Sequence, residues 1–174
     1  RQMYTPYSVK DLYIVAHGGG SWGPPAVSPR TGLLYVTGKN GAVSFTVNPV
    51  GDSLSAGPNN QGHSDVIAER VDPGMTPTET VTAYDVWTSN LVWQQTVPAN
   101  SPISSSGNLV TAGDIVVQGT SMGEVYVFDA GTGEELFFYK APRPIRASPL
   151  TYEVNSKQYI SFVASNTVLT LAVP

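Results

Sequence analysis

Three consecutive glycines, Gly18 to Gly20, precede Ser21 and Trp22, so that bare backbone, a hydroxyl and an indole stand side by side. Glycine backbone can approach a planar or anionic ligand closely, but glycines also simply turn a chain between strands. A second run of hydroxyls, Ser104, Ser105 and Ser106, ends at Gly107. It has no Gly-x-Ser-x-Gly context, so a connecting loop explains it and hydrolase chemistry has no support. Arg143 and Arg146 lie just before an apolar strand and offer two guanidinium groups to a carboxylated ligand or partner, rim salt bridging being the commoner use. His17 and His63 are the only histidines and have no metal-site spacing. Asp52, Asp65, Glu69 and Asp72, with Asn59 and Asn60, carry oxygen ligands suited to calcium. Nothing follows the EF-hand register, and a solvated loop is the simpler reading.

The elements that hold these residues read as strands throughout. Val125 and Val127 alternate with Tyr126 and Phe128, and Asp129-Ala130-Gly131-Thr132-Gly133 supplies a tight turn before the next strand. A degenerate copy runs from Thr82 to Pro98. Asp85 precedes Asp129 by 44 residues, and a bulky aromatic follows each aspartate by eight, at Trp93 and Phe137. That period is the length of one four-stranded propeller blade. Asp85 and Asp129 sit at strand ends, where aspartate bonds its own backbone, and are structural. A third hairpin is predicted from Thr31–Gly38 through Lys39-Asn40-Gly41 into Ala42–Val47, with Val27, Leu34, Val36, Val43 and Phe45 inside. Leu12–Ala16 reads as a short strand, and residues 49–80, rich in Gly and Pro, as a long loop lying over a neighbouring surface or covering a site. From residue 81 strands are expected at 81–86, 91–97, 108–111, 114–119, 124–129, 134–140, 147–153, 158–164 and 167–172. Residues 1–174 thus form one all-β segment of three to four blades, with 49–80 as a loop insertion.

The bulk numbers agree with a shared surface. Charged residues are 13% of the chain, against about 25% in typical soluble domains, which suits an assembly subunit or a secreted protein. The net charge of −4 comes without a Lys/Arg cluster, so nucleic-acid binding is discounted. With no cysteine, no disulfide, thiolate metal site or covalent haem attachment is available within this chain. No 18-residue apolar span exists. The amino end is not a signal peptide, so the chain is either mature and processed or never exported. Closed propellers need four to eight blades, so the ring is expected to be incomplete and the chain not to be a stable monomer.

Three segments resemble the pyrroloquinoline-quinone (PQQ)-dependent alcohol dehydrogenases. They are Gly18–Val36, Thr111–Glu134 and Ile145–Ile160, and the similarity spans nearly all of residues 18–165. The resemblance implies an eight-bladed, exported, periplasmic or extracellular quinoprotein, of which this chain is the carboxy-terminal half, completed by another chain or an amino-terminal half. The Ala-x-Asp-x-x-Thr-Gly-x-x-x-Trp repeat is that family's tryptophan-docking motif. An indole buried between blades contributes at most ~4–6 kcal/mol from ~150–250 Å² of area, which makes Trp93 structural. Phe137 fills the same slot with less area and no N–H donor.

The family's cofactor-holding asparagine is replaced here by Ser21, beside Trp22, and its aromatic floor by Ser104. Binding of the quinone is expected to weaken by ~0.5–1.5 kcal/mol of lost stacking. The implied oxidoreductase oxidises a small alcohol by hydride or proton-coupled transfer to PQQ, with calcium or a lanthanide as Lewis acid, and passes electrons to a cytochrome. Ser21, Trp22, Ser104 and Gly107 form one wall of the quinone pocket. The metal ligands and catalytic aspartate belong to the amino-terminal half, so no catalytic or metal residue is assigned in this chain. The other reading is a degenerate propeller without cofactor, acting as a structural or protein-binding scaffold.

Overall fold

The computed structural model describes residues 12–14, 23–41, 43–45, 70–71, 76–99 and 106–172. Every element in them is a strand. The first large sheet contains β2 (Ala26–Ser28), β3 (Leu33–Asn40), β6 (Thr78–Asp85) and β7 (Leu91–Pro98), in that order. The second repeats the plan with β8 (Asn108–Val110), β9 (Ile115–Gly119), β10 (Glu124–Asp129) and β11 (Glu135–Lys140). A third has β12 (Leu150–Val154), β13 (Lys157–Ala164) and β14 (Thr167–Ala172). All pairings are antiparallel between neighbours, the meander of a propeller blade.

The predicted hairpin over residues 31–47 does not form. β3 pairs instead with β6 over eight positions, from Leu33↔Asp85 to Asn40↔Thr78. The strand after the Lys39-Asn40-Gly41 turn, β4 (Val43–Phe45), joins β1 (Leu12–Ile14) and β5 (Arg70–Val71) in a separate small sheet. Local turn chemistry favoured the neighbouring strand, but pairing with the more distant β6 covers a longer register. The segment between β3 and β6 therefore leaves and re-enters the sheet at two register partners, Asn40 and Thr78, so the insertion closes on an already formed pair.

Two cores explain the stacking. Leu33, Tyr35, Val81, Ala83, Trp93 and Val97 of the first sheet meet Val116, Tyr126, Phe128 and Ala130 of the second. On its opposite face the second sheet presents Val117 and Val125 to Ile160, Phe162 and Ala164 of the third. Adjacent residues Val116 and Val117 thus serve different cores, as the period of two along a strand requires. A strand buried on both faces reads as an unbroken apolar run, here Ile115-Val116-Val117.

The interior of the first sheet has the opposite phase to that expected. Val27 is 55% exposed and Leu34 and Val36 are half-buried, while Leu33, Tyr35, Thr37 and Lys39 are buried. A shift of one residue moves a whole set to the other face, and the more apolar set was not the one facing the second sheet. The side chains of Val43 and Phe45 lie outside the described residues.

The β12–β13 hairpin turns through Asn155 and Ser156, both at positive φ (51° and 59°), the requirement of a type I′ turn. Serine pays a steric penalty there that glycine does not. Ser156→Gly is expected to stabilise the protein by about 1 kcal/mol in denaturant unfolding; destabilisation would show that the Ser156 side chain holds the turn.

Candidate functional site

The start of β6, the turn after β9, the loop before β12 and the end of β13 converge on one end of the stacked sheets. Ser121, just past β9, donates from Oγ to Glu79 Oε1 at 3.5 Å. Ile145 N donates to Thr120 O at 3.0 Å, and Ile145 forms a bridge with Ala164, where β13 ends. Beside it opens a cavity of ≈ 550 Å³ lined by Pro144, Arg146, Ala147, Val163 and Ser165.

Residues 23–24 and 106–107, which adjoin the two expected cofactor segments, meet at this end, although about 80 residues separate them in the chain. Ser21, Trp22 and Ser104 themselves lie outside the described residues. The residues that follow each are in contact. Asn108 N donates to Pro24 O at 3.1 Å. A Cβ on Gly23 would stand 2.5 Å from Ser106 O, and one on Gly107 would collide with the Ser148 hydroxyl and the Pro24 ring. Only glycine allows this approach, so Gly107 packs the loop against Pro24.

Ser106 anchors the loop from below. Its Oγ donates to Ala147 O (2.8 Å), and its carbonyl accepts from Gln118 Nε2 (3.3 Å) and Thr37 Oγ1 (3.4 Å). Thr37 Oγ1 also lies 2.9 Å from Gln118 Oε1, whose Nε2 donates to Gly119 O at 2.7 Å. Thr37, Ser106 and Gln118 are fully buried, and a satisfied buried network of this kind fixes geometry because any broken link strands a polar group. Sequence reasoning missed this seam. Its signal was present, since Thr37 continues the inward phase of Leu33 and Tyr35.

The same phase leads to Lys39, and on the paired strand to Glu79, its direct partner in register. Both are buried. Burial pushes the Glu79 carboxyl up to about 7 against the pull of Lys39 and the Ser121 hydroxyl, and burial lowers the Lys39 ammonium, with Arg146 lowering it further. Arg146 lines the cavity, and neither Arg143 nor Arg146 forms an ion pair among the described residues, contrary to the expected rim salt bridging.

His17, His63, Asp52, Asp65, Glu69, Asp72, Asn59 and Asn60 lie outside the described residues, among which no group of three or more His, Cys, Asp or Glu is arranged to hold a metal. The described structural aspartates behave alike. Asp85 Oδ1 accepts from Trp87 N, Thr88 N and Thr88 Oγ1, and Asp129 Oδ1 from Gly131 N, Thr132 N and Thr132 Oγ1. These bonds, led by those from the Thr88 and Thr132 backbones, hold both carboxyls below the usual range. Asp129→Ala is expected to lower the denaturation midpoint, since three turn donors lose their acceptor; no change would mean that the turn forms without it.

Trp93 crosses from the first sheet to the turn after β10. Its Nε1 donates to Ala130 O at 2.9 Å, and the ring lies against Gly133, where a Cβ would stand 2.6 Å from the indole. Phe137, expected to fill the equivalent slot, is instead 47% exposed. By the spacing seen for Trp93, the turn that would receive it follows β14, outside the described residues.

Comparison with known proteins agrees with this architecture. Residues 1–160 match the family model of the PQQ glucose/ethanol/alcohol dehydrogenase β-propeller domain. The quinohemoprotein alcohol dehydrogenase of Comamonas testosteroni is 30% identical over 150 residues, which are 83% of this chain and 21% of that protein. The 1-butanol dehydrogenase (cytochrome c) of Thauera butanivorans is 31% identical over 149 residues, 81% of this chain and 21% of that one. The crystal structure of the Comamonas testosteroni enzyme superposes with a TM-score of 0.65 at 30% identity, covering 88% of this chain and 23% of its own. The chain spans about a fifth of the length of the curated relatives it matches. With its stacked antiparallel blades and a family match over nearly its whole length, this chain belongs to the PQQ glucose/ethanol/alcohol dehydrogenase β-propeller family.

Proposed function

We propose that the chain is one arc of a PQQ-dependent alcohol dehydrogenase, a single propeller segment whose expected 49–80 insertion ends before β6, since residues 78–80 are strand paired with β3, and that it supplies one wall of the quinone pocket. The observation that carries this reading is the contact of the Gly23-Pro24 and Ser106-Gly107 backbones. It supports the reading because residues 23–24 and 106–107 adjoin the Ser21-Trp22 and Ser104 segments in the chain. The fit is partial but chemically apt: Ser21 and Ser104 offer hydroxyls to quinone or carboxylate oxygens, and Trp22 offers an aromatic face.

When bound, PQQ accepts the two electrons and proton equivalent removed from an alcohol carbon. This chain's part is to orient and shield. Gly107 keeps the loop close-packed, and the Thr37, Gln118 and Ser106 seam holds that loop rigid from beneath. Calcium or a lanthanide, and the catalytic base, are held by residues of a complementary propeller chain or amino-terminal half, so the chain is not catalytic alone. A cytochrome is the electron acceptor and the setting is periplasmic or extracellular. Trp93 and its turn act as the tryptophan-docking contact.

The test is native mass spectrometry of the intact protein, followed by PQQ titration of the wild type and Trp22→Ala. Retained or saturable PQQ, bound more weakly by the variant, is expected. Intact protein that takes up no PQQ with either calcium or a lanthanide would overturn the reading and favour the scaffold.

A further inference from the structure

Lys39 and Glu79 face one another across β3 and β6 on the buried side of the sheet, yet form no ion pair. Among the described residues, neither Lys39 Nζ nor Glu79 Oε2 has a hydrogen-bond partner. A buried ammonium and a buried carboxyl oxygen left unpaired are among the costliest arrangements in a folded protein. Two such atoms, on side chains that are direct register partners, therefore point to a missing third group.

The chemistry of that group follows from what faces it. Among the described residues, the charged groups here are Lys39 from β3, Glu79 from β6 and Arg146 from the loop before β12, while the turn after β9 contributes only the Ser121 hydroxyl. A cationic ligand would confront Lys39 and Arg146, and an apolar one would leave both orphan atoms unsatisfied. A carboxylate accepts from the ammonium, and it also accepts from Glu79 when that carboxyl carries its proton. Arg146, whose charge acts on Lys39, also lines the cavity together with Ala147. Ala147 is tied through Ser106 to Thr37, two residues along the same face from Lys39.

We propose that Lys39 and Glu79 form a buried receptor for a small carboxylate, which enters past Arg146. This receptor does not depend on the quinone reading. Its occupant is either a free organic acid or a carboxylate arm of a larger cofactor, since both present the same oxygens.

Calorimetric titration of acetate into the intact protein at pH 6 and pH 8 tests it. Because occupancy draws on the Glu79 proton, the wild type is expected to bind about tenfold more tightly at pH 6. Lys39→Met should weaken binding by at least about tenfold at both pH values. Glu79→Gln should bind with little pH dependence. Should Lys39→Met fail to fold, Lys39→Arg, which keeps a cation, is expected to retain binding, and the Glu79→Gln profile decides. No saturable acetate binding by folded wild type, meaning that water alone fills the gap, would overturn the receptor. So would equal affinity in Lys39→Met. Titrating PQQ into the wild type and Lys39→Met separates the sources: a parallel loss assigns the site to a cofactor arm, and unchanged PQQ affinity assigns it to a free acid.

Discussion

Trp93→Ala lowers the stability of the protein by about 3–5 kcal/mol, the largest effect expected of any single truncation here. The indole is 7% exposed and lies between two sheets, with Tyr35 at 5.9 Å and Phe128 at 6.1 Å between ring centroids. Removing it opens a cavity at the seam between blades, and Gly133, directly against the ring, has no side chain with which to fill it. Most of the loss is packing and not hydrogen bonding, because Ala130 O also accepts from Tyr35 at 3.1 Å and keeps a partner. Trp93→Phe should therefore cost only about 1–2 kcal/mol. Urea unfolding of both variants measures the difference. A loss below about 1 kcal/mol for the alanine variant would show that the indole does not anchor the two blades.

Stability is expected to fall as pH rises through 7, and Glu79→Gln to abolish most of that fall. The folded-state carboxyl titrates at about 7, above its ordinary 4.5. Between those values the folded protein holds a proton that the unfolded chain has released, so raising the pH favours unfolding, and the penalty is complete above about pH 7. A shift of this size corresponds to on the order of 3 kcal/mol. The attraction of Lys39 is already included in that position, so the neutral glutamine should gain most of it at pH 8 and little at pH 4.5. Lys39 acts in the other direction and elsewhere: its lowered ammonium costs stability below its own ordinary value of 10.5, with relief as pH rises toward it. Melting curves of wild type and Glu79→Gln from pH 5 to 8 provide the check. Parallel curves would place the carboxyl in water.

Much of the fold was legible in the residues because its punctuation is local. Asp129, Gly131 and Gly133 mark a turn by chemistry that acts within five residues, and the strands from 108 to 172 begin and end within about three positions of those expected. The pairing of β3 with β6 was not legible, because its two halves are joined through residues 41–77 and no nearby signal announces a distant partner. The buried face of β3 was misread for a related reason. Hydrophobicity assigned Leu34 and Val36 to the interior, whereas the face packed against the second sheet includes Leu33 and Tyr35, and the same inward phase carries Thr37 and Lys39. The glycine contact joining residues 23–24 to 106–107 depends on tertiary approach alone. The repeat and the family resemblance pointed to both segments, but the buried Lys39 and Glu79 pair had no motif and emerged only from the register.

The middle sheet, held on both faces by Val116 and Val117, has a kinetic consequence. Each blade touches only its neighbours, so opening propagates along the stack as in a one-dimensional array. Amides of β9 and β10 can exchange with solvent deuterium only after one flanking sheet has come away. Those of β14, at the margin of a sheet whose Leu150, Tyr152, Val154, Val163 and Val168 are largely uncovered, need no such prior event. Where no further blade covers that sheet, the arc should therefore unzip from β14 inward, with its slowest clock at β9.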